Sequence, residues 1–323
     1  MRTLVILLLI VVLIAAAAFY LLGPVGPTQE TFVEIPPGMS TPQISTLLEE
    51  KGIIRSRYAF DLWRLANRGT LKAGEYRFDH KSPLPEVYAR LRRGDVYTRT
   101  LVIPEGFNIF DIAQAVEAAQ LGTRQSFLDA ARQNTSLITT LDPGATSLEG
   151  YLFPDTYHFQ RRDAAPIILA TMVKRFRQAA DQIGLKSDFH KTVTLASLVE
   201  RETPVPSERP LIAGVFTNRL EKRIPLATDP SVVYAAMLGG NYRGTIYASD
   251  LASDSPYNTY RHVGLPPGPI ANPGIASLKA AMEPAKTDYL YFVVDRANPG
   301  HSKFASTLEE HNRNVAEYRA GAR

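Results

Sequence analysis

The chain has 323 residues and no cysteine, with 36 Lys and Arg against 32 Asp and Glu. The missing cysteine excludes disulfides, thiolate metal sites and a cysteine nucleophile, and a body of this size buries a sufficient core without disulfides. A net charge of +4 is ordinary surface charge, and no nucleic-acid module signature accompanies it, so no nucleic-acid partner is expected.

Leu4 to Leu22 reads LVILLLIVVLIAAAAFYLL, with no charge. It is long enough to cross about 30 Å of hydrocarbon as a helix. Arg2 precedes it, which favours a cytoplasmic N-terminus over residues 1–3. The rival is a cleaved signal peptide, whose apolar region is usually shorter than this stretch. Residues 4–22 are therefore expected to be an uncleaved transmembrane anchor, with the rest of the chain one soluble assembly beyond the membrane. Gly23 to Glu30, GPVGPTQE, cannot continue a helix and reads as a linker.

A weak internal repeat follows. VEIPPGMSTPQISTLLEEKGII begins at Val33 and LVIPEGFNIFDIAQAVEAAQLG at Leu101. Each predicts a strand, a Pro-x-Gly turn and an amphipathic helix. Ile35, Gly38 and Ile44 match Ile103, Gly106 and Ile112 at one offset. Between the copies, AGEYRFD predicts a strand and LPEVYARLRRG a short helix closed by Gly94. Arg90, Arg92 and Arg93 read as a solvated helix end. These signals divide the first half into small α+β units, 31–97 and 98–145.

A second body is expected over 146–323. LEGYLFPDTYHF is dense in aromatics and contains Asp155, a residue that is either structural or part of a site. A helix is predicted from Ala165 to Ile183, stopped by Gly184. The next helix ends in LASLVERETP. On a helical wheel, Leu195, Leu198 and Val199 form one apolar stripe. Glu202 falls within it and Glu200 well off it, so Glu200 is expected to be solvated and Glu202 inward-facing. Pro204 biases Thr203 away from the helical conformation and should end the helix there. Glu202 then lies at the negative end of the helix dipole, partly desolvated, and both effects raise a carboxyl pKa. A carboxyl protonated near neutral pH is what a general acid requires. Pairing of Glu202 with Arg201, Arg209 or Arg219 is the competing expectation.

Downstream, a helix over Glu208–Leu220 is expected to be capped by Ser207. LATDPSVVYA puts Asp229 in a turn before a helix, where an N-cap is its default role. SPYNTYRHVGLPPGPIANPG places Tyr257, Asn258, Thr259 and Tyr260 before a stiff Pro/Gly loop. Tyr faces stack on pyranose rings, and Asn and Thr bond sugar hydroxyls; a well-packed loop explains the same residues equally. DYLYFVVD reads as a buried strand. The six histidines show no HExxH or other metal spacing, and His301 with His311 alone do not make a metal site. There is no GxSxG, P-loop or GxGxxG, so neither a metal nor a nucleotide cofactor is expected.

SLVERET, SERPLIAGVFTNRL, PLATDPSVVYA, YNTYRHVGLPPGPIANPGIASLKAAMEPA, YLYFVVD and GHSKFASTLEEHN together resemble the YceG-like (MltG) family of membrane-anchored endolytic murein transglycosylases. The resemblance covers nearly the whole chain. It implies an α+β protein with an N-terminal transmembrane helix, a LysM-like subdomain at 31–97, a connector at 98–145 and a mixed α+β catalytic domain at 146–323. It implies that Glu202, the second acid of the Glu-x-Glu-Thr motif, is catalytic. The implied reaction cleaves the β-1,4 bond between N-acetylmuramic acid and N-acetylglucosamine in nascent peptidoglycan strands, leaves 1,6-anhydro ends and needs no metal or cofactor. Tyr257, Asn258, Thr259, Asp229 and Asp155 are the candidate substrate contacts. The implied setting is the outer face of the cytoplasmic membrane, beside peptidoglycan synthases, where cutting would end strand growth. Two alternatives stay open. One is a non-catalytic peptidoglycan-binding scaffold. The other is a two-carboxylate hydrolase, with Asp155 or Asp229 supplying the second carboxylate.

Overall fold

The computed structural model describes residues 2–320. Met1, in the expected cytoplasmic segment 1–3, and residues 321–323 of the expected C-terminal body lie outside the described residues. Contacts divide the chain into two units, Met1–Arg99 and Thr100–Arg323.

The first unit opens with α1 (Arg2–Leu22), none of whose residues is fully buried, although Leu22 at its end packs against the first core. The helix is long and apolar enough to cross a membrane. The order then runs β1 (Thr31–Ile35), α2 (Thr41–Glu50), α3 (Arg57–Asn67), β2 (Gly74–Phe78) and α4 (Leu84–Arg93). Strands β1 and β2 pair antiparallel with Val33 opposite Tyr76. Alternate residues of β1, Val33 and Ile35, turn inward. They meet Ile44 and Leu48 of α2, Phe60 of α3 and Leu84, Val87 and Leu91 of α4 in one core. Gly94 ends α4 in the left-handed conformation, φ 79°, as the sequence predicts. Arg90 is more engaged than a solvated helix end: it donates to Arg77 O at 2.6 Å and lies over the Phe78 ring.

The second unit contains β3 (Arg99–Ile103), α5 (Ile109–Ala118), α6 (Arg124–Gln133), a 3-10 turn at Thr135–Ile138, β4 (Asp155–Phe159) and α7 (Ala165–Ile183). There follow α8 (Phe189–Glu202), a 3-10 turn at Pro206–Glu208, α9 (Arg209–Glu221), α10 (Asp229–Leu238), α11 (Ala248–Leu251) and α12 (Ile275–Met282). The unit ends with β5 (Tyr291–Val294), β6 (Ser302–Ala305) and α13 (Leu308–Ala320).

The sequence repeat is real in local structure. Both copies are strand, turn and helix, and Gly38 and Gly106 both take positive φ, 84° and 79°. The expected separate connector, 98–145, is corrected: β3 pairs with β4, and Leu101, Ile112, Val116 and Phe127 share a core with Tyr151, Phe176 and Leu198. The division falls instead between Arg99 and Thr100, the first two residues of β3. Two local expectations also change. Ser207 is exposed and does not cap α9, because the 3-10 turn already feeds its first turn. The run around β5 is only half-buried, because β5 pairs with β6 alone in a two-stranded sheet.

Candidate active site

Helix α8 carries the site, and its sequence explains its position. Val193 to Val199 are all buried, including the small polar Thr194 and Ser197. Helices α9, α10 and α12 pack around it, so it has no broad solvated face. Ser197 makes this burial tolerable: its hydroxyl donates to Thr194 O at 2.7 Å and accepts from Ile270 N at 3.0 Å. Thr203 is extended, φ −140° and ψ 133°, and α8 ends at Glu202. Pro204 enforces that stop.

The two glutamates are indeed unequal, but Glu200 is not solvated. Its side chain is 4% exposed. One carboxylate oxygen accepts from Arg209 Nη2 at 2.8 Å and the other from Gly274 N at 2.9 Å. Glu200 therefore ties the end of α8 to the start of α9 and to the N-terminus of α12. The wheel placed it correctly relative to the stripe. It failed because a second layer of helices covers that side as well.

Glu202 is different. No hydrogen bond or ion pair holds its carboxyl among the described residues. Burial raises its pKa from 4.5 to about 7, the Asp229 charge adds to the rise, and Arg219 opposes it. Each expected cationic partner is committed elsewhere. Arg209 takes Glu200, and Arg201 Nη1 donates to Gly106 O at 3.1 Å. Arg219 donates from Nε to Leu290 O at 2.6 Å and from Nη1 to Leu226 O at 2.9 Å, and its guanidinium lies over Tyr291. Its charge reaches Glu202 without an ion pair.

Asp229 is brought to Glu202 as the first residue of α10. It is not the N-cap; Thr228 holds that position. Tyr260 donates its hydroxyl to Asp229 Oδ1 at 2.6 Å and also senses the Glu202 charge. Burial and the Asp229 acceptor raise the Tyr260 pKa, so its hydroxyl stays a donor.

Two of the candidate substrate contacts, Asn258 and Thr259, are corrected. Asn258 is 0% exposed. Its Nδ2 donates to Leu251 O at 3.0 Å and Ser253 O at 2.8 Å, and its Oδ1 accepts from Tyr260 N at 3.1 Å. Thr259 is buried too: its hydroxyl accepts from Thr228 N at 3.0 Å and bonds Ser231 at 2.8 Å. These two residues lock the loop that aims Tyr260 and fix the start of α10. Neither has a polar group left for a ligand. Tyr257 is half-buried, its ring 5.2 Å from that of Tyr234. Asp155 pairs with Arg175 Nε at 2.6 Å on the β4–α7 side, and its pKa is lowered despite partial burial.

The sequence reading missed Glu149. This side chain is 1% exposed. It accepts from Ile109 N and Asn272 Nδ2, both at 2.8 Å, and from the Tyr234 hydroxyl. Burial lifts its pKa to about 8 against those donors. It is closed off from solvent and joins α5, α10 and the Pro/Gly loop. Its partners lie 40 and 123 residues away, so no local pattern announces it. Among the described residues no group of His, Asp and Glu is arranged to hold a metal ion. A cavity of about 820 Å³ opens at the far end of α10, lined by Val232, Ala235, Tyr242, Arg243 and Asp250 among others.

The YceG-like family model matches residues 33–317. The chain belongs to the YceG-like family. An endolytic murein transglycosylase of Bacillus subtilis (strain 168) is 35% identical over 321 residues, covering 92% of this chain and 88% of that protein. A protein of the same name from Streptococcus pneumoniae serotype 2 is 34% identical over 319 residues, covering 88% of this chain and 58% of that protein. The crystal structure of a yceG-like protein from Listeria monocytogenes aligns with a TM-score of 0.57 at 35% identity, over 89% of this chain and 99% of that one. In this YceG-like chain the isolated carboxyl, Glu202, lies inside the matched segment, and so do Asp229, Arg219 and Tyr260.

Proposed function

We propose that this chain is a membrane-anchored lytic transglycosylase that cuts inside peptidoglycan glycan strands, with Glu202 as its single general acid and base. The observation that carries the reading is the state of Glu202: a carboxyl without a partner, held at a pKa of about 7. The names of the B. subtilis and S. pneumoniae relatives supply the substrate class.

The chemistry follows from that state. Protonated Glu202 donates to the glycosidic oxygen, and the bond to C1 of N-acetylmuramic acid breaks. The leaving N-acetylglucosamine keeps the proton as its 4-hydroxyl. An oxocarbenium-like cation remains, which the nearby Asp229 charge favours electrostatically. The Glu202 carboxylate, now facing the Arg219 cation, takes the proton from the sugar's own 6-hydroxyl as that oxygen closes on C1. No water is consumed, and the new end is a 1,6-anhydro sugar. Tyr260 and Asp229 line the site; Asn258 and Thr259 act by holding them.

A second reading has one specific observation behind it. Asp229 is close enough to perturb Glu202, and a hydrolase uses such a pair with water. Its product would be a reducing sugar, heavier by one water. Mass analysis of a peptidoglycan digest separates the readings, and a digest with only reducing ends would sink the transglycosylase.

The setting is also part of the proposal. With α1 in the cytoplasmic membrane and its N-terminus inside, the chain after α1 lies on the outer side, where nascent strands are made beside their synthases. Cutting there would end strand growth. The order β1, α2, α3, β2 with antiparallel pairing supports the LysM-like reading of 31–97.

A further inference from the structure

Helix α3 carries an apolar stripe that its own unit leaves bare. Tyr58, Leu62 and Leu65 are 65%, 69% and 70% exposed. Their spacing, i, i+4 and i+7, puts them on one helical face. The other side of the helix is already satisfied, since it buries Phe60 and packs Trp63 into the core. A surface helix ordinarily has one apolar face; α3 has two, and among the described residues none covers the second.

Two observations say what covers it. The first is position. Arg55, just before α3, donates to Tyr20 O, Gly23 O and Pro24 O at 2.5, 3.0 and 3.0 Å. Its guanidinium also lies over the Tyr20 ring at 4.7 Å. Tyr20 is in the last turn of α1, and Gly23 and Pro24 follow it. The start of α3, capped by Ser56, is thus fastened to the end of the membrane-spanning helix. The second is charge. Arg57, Arg64 and Arg68 recur along one flank of the stripe with Asp61 between them. Arg57 lies over the Tyr58 ring. Aliphatic and tyrosyl side chains with cations beside them are the pattern of helices lying in a headgroup layer.

We propose that α3 docks on the bilayer surface, with Tyr58, Leu62 and Leu65 among the upper acyl chains and the arginines at anionic headgroups. The first unit is then held to the membrane at two points, α1 and α3. This rests on the reading of α1 as a membrane span.

The chain has no cysteine, so single labelled cysteines have no background. The full chain would carry Leu62→Cys or Leu65→Cys, with Leu13→Cys in α1 and Thr70→Cys in an exposed loop as references. Each variant, bearing a small fluorophore, would be reconstituted into phosphatidylethanolamine vesicles with phosphatidylglycerol. Brominated acyl chains report lipid contact and iodide reports water contact. Labels at 62 and 65 are expected to be quenched by brominated lipid and shielded from iodide several-fold relative to 70. If 13 is quenched by lipid while 62 and 65 are as open to iodide as 70, the stripe faces water or awaits a protein partner, and the proposal is overturned. If 13 is itself open to iodide, the anchor reading fails first and takes the proposal with it.

Discussion

Glu202 and its charged neighbours make quantitative demands. A general acid must be protonated, so the rate of strand cleavage should fall as pH rises through about 7. Asp229 helps to hold Glu202 up. Asp229→Asn should therefore move that limb to lower pH, by up to about one unit, and keep the anhydro product. Loss of all cleavage in this variant, with the fold intact, would point to the hydrolase reading instead. Stability should respond as well. The Glu202 pKa is 4.5 unfolded and about 7 folded, so between those values the folded state binds more protons. Stability then declines as pH rises across that window and stays lower above it. Glu202→Gln should stabilise the protein by up to about 2 kcal/mol at alkaline pH, after allowance for partial solvent screening, and have little charge-related effect below the window. Denaturant melts at the two pH values test this. The inward turn of Glu202 and the stop at Pro204 were legible because both depend on residues within one helical turn. The roles of Asn258 and Thr259 were not, since their partners come from α10 and from the loop that folds back on them.

At the scale of elements, the site depends on joints between helices. Glu200 is the main one, bridging Arg209 and Gly274 N. Removing it leaves buried Arg209 with only the longer contact to half-exposed Glu105, at 3.5 Å. Glu200→Ala should cost about 3–5 kcal/mol, measured by calorimetry. An inactive Glu200 variant would therefore report a damaged fold and not a catalytic role. No change in melting would contradict the joint. Gly150 is a second joint. It has φ 85°, and an added Cβ would lie 2.5 Å from Pro269 and 2.7 Å from Val193 of α8. Gly150→Ala should cost about 2–3 kcal/mol through overpacking and left-handed strain. Helices α7 and α4 were readable to their glycine stops because periodicity and a left-handed terminator are local signals. The cap of α9 and the burial of Glu200 depend on a 3-10 turn and on packing layers, which leave no periodic trace.

The whole molecule has two cores, and its boundary was the least legible feature. The repeat suggested that 98–145 stands apart. The pairing of β3 with β4, across about fifty intervening residues, joins it to the second unit. Leu48 is 0% exposed in the first core, so Leu48→Ala should cost that unit about 2–5 kcal/mol. Amide exchange should quicken across β1 to α4 and stay unchanged in α8; uniform quickening would contradict two separate cores. The central claim, a single unpaired acid that cleaves without water, is tested most directly by digesting purified peptidoglycan with the full chain. Wild type, Glu202→Gln and Asp155→Asn would be compared and their products weighed. The account predicts 1,6-anhydro ends from wild type and Asp155→Asn and none from Glu202→Gln. Reducing ends from wild type, or anhydro ends from Glu202→Gln, would contradict it.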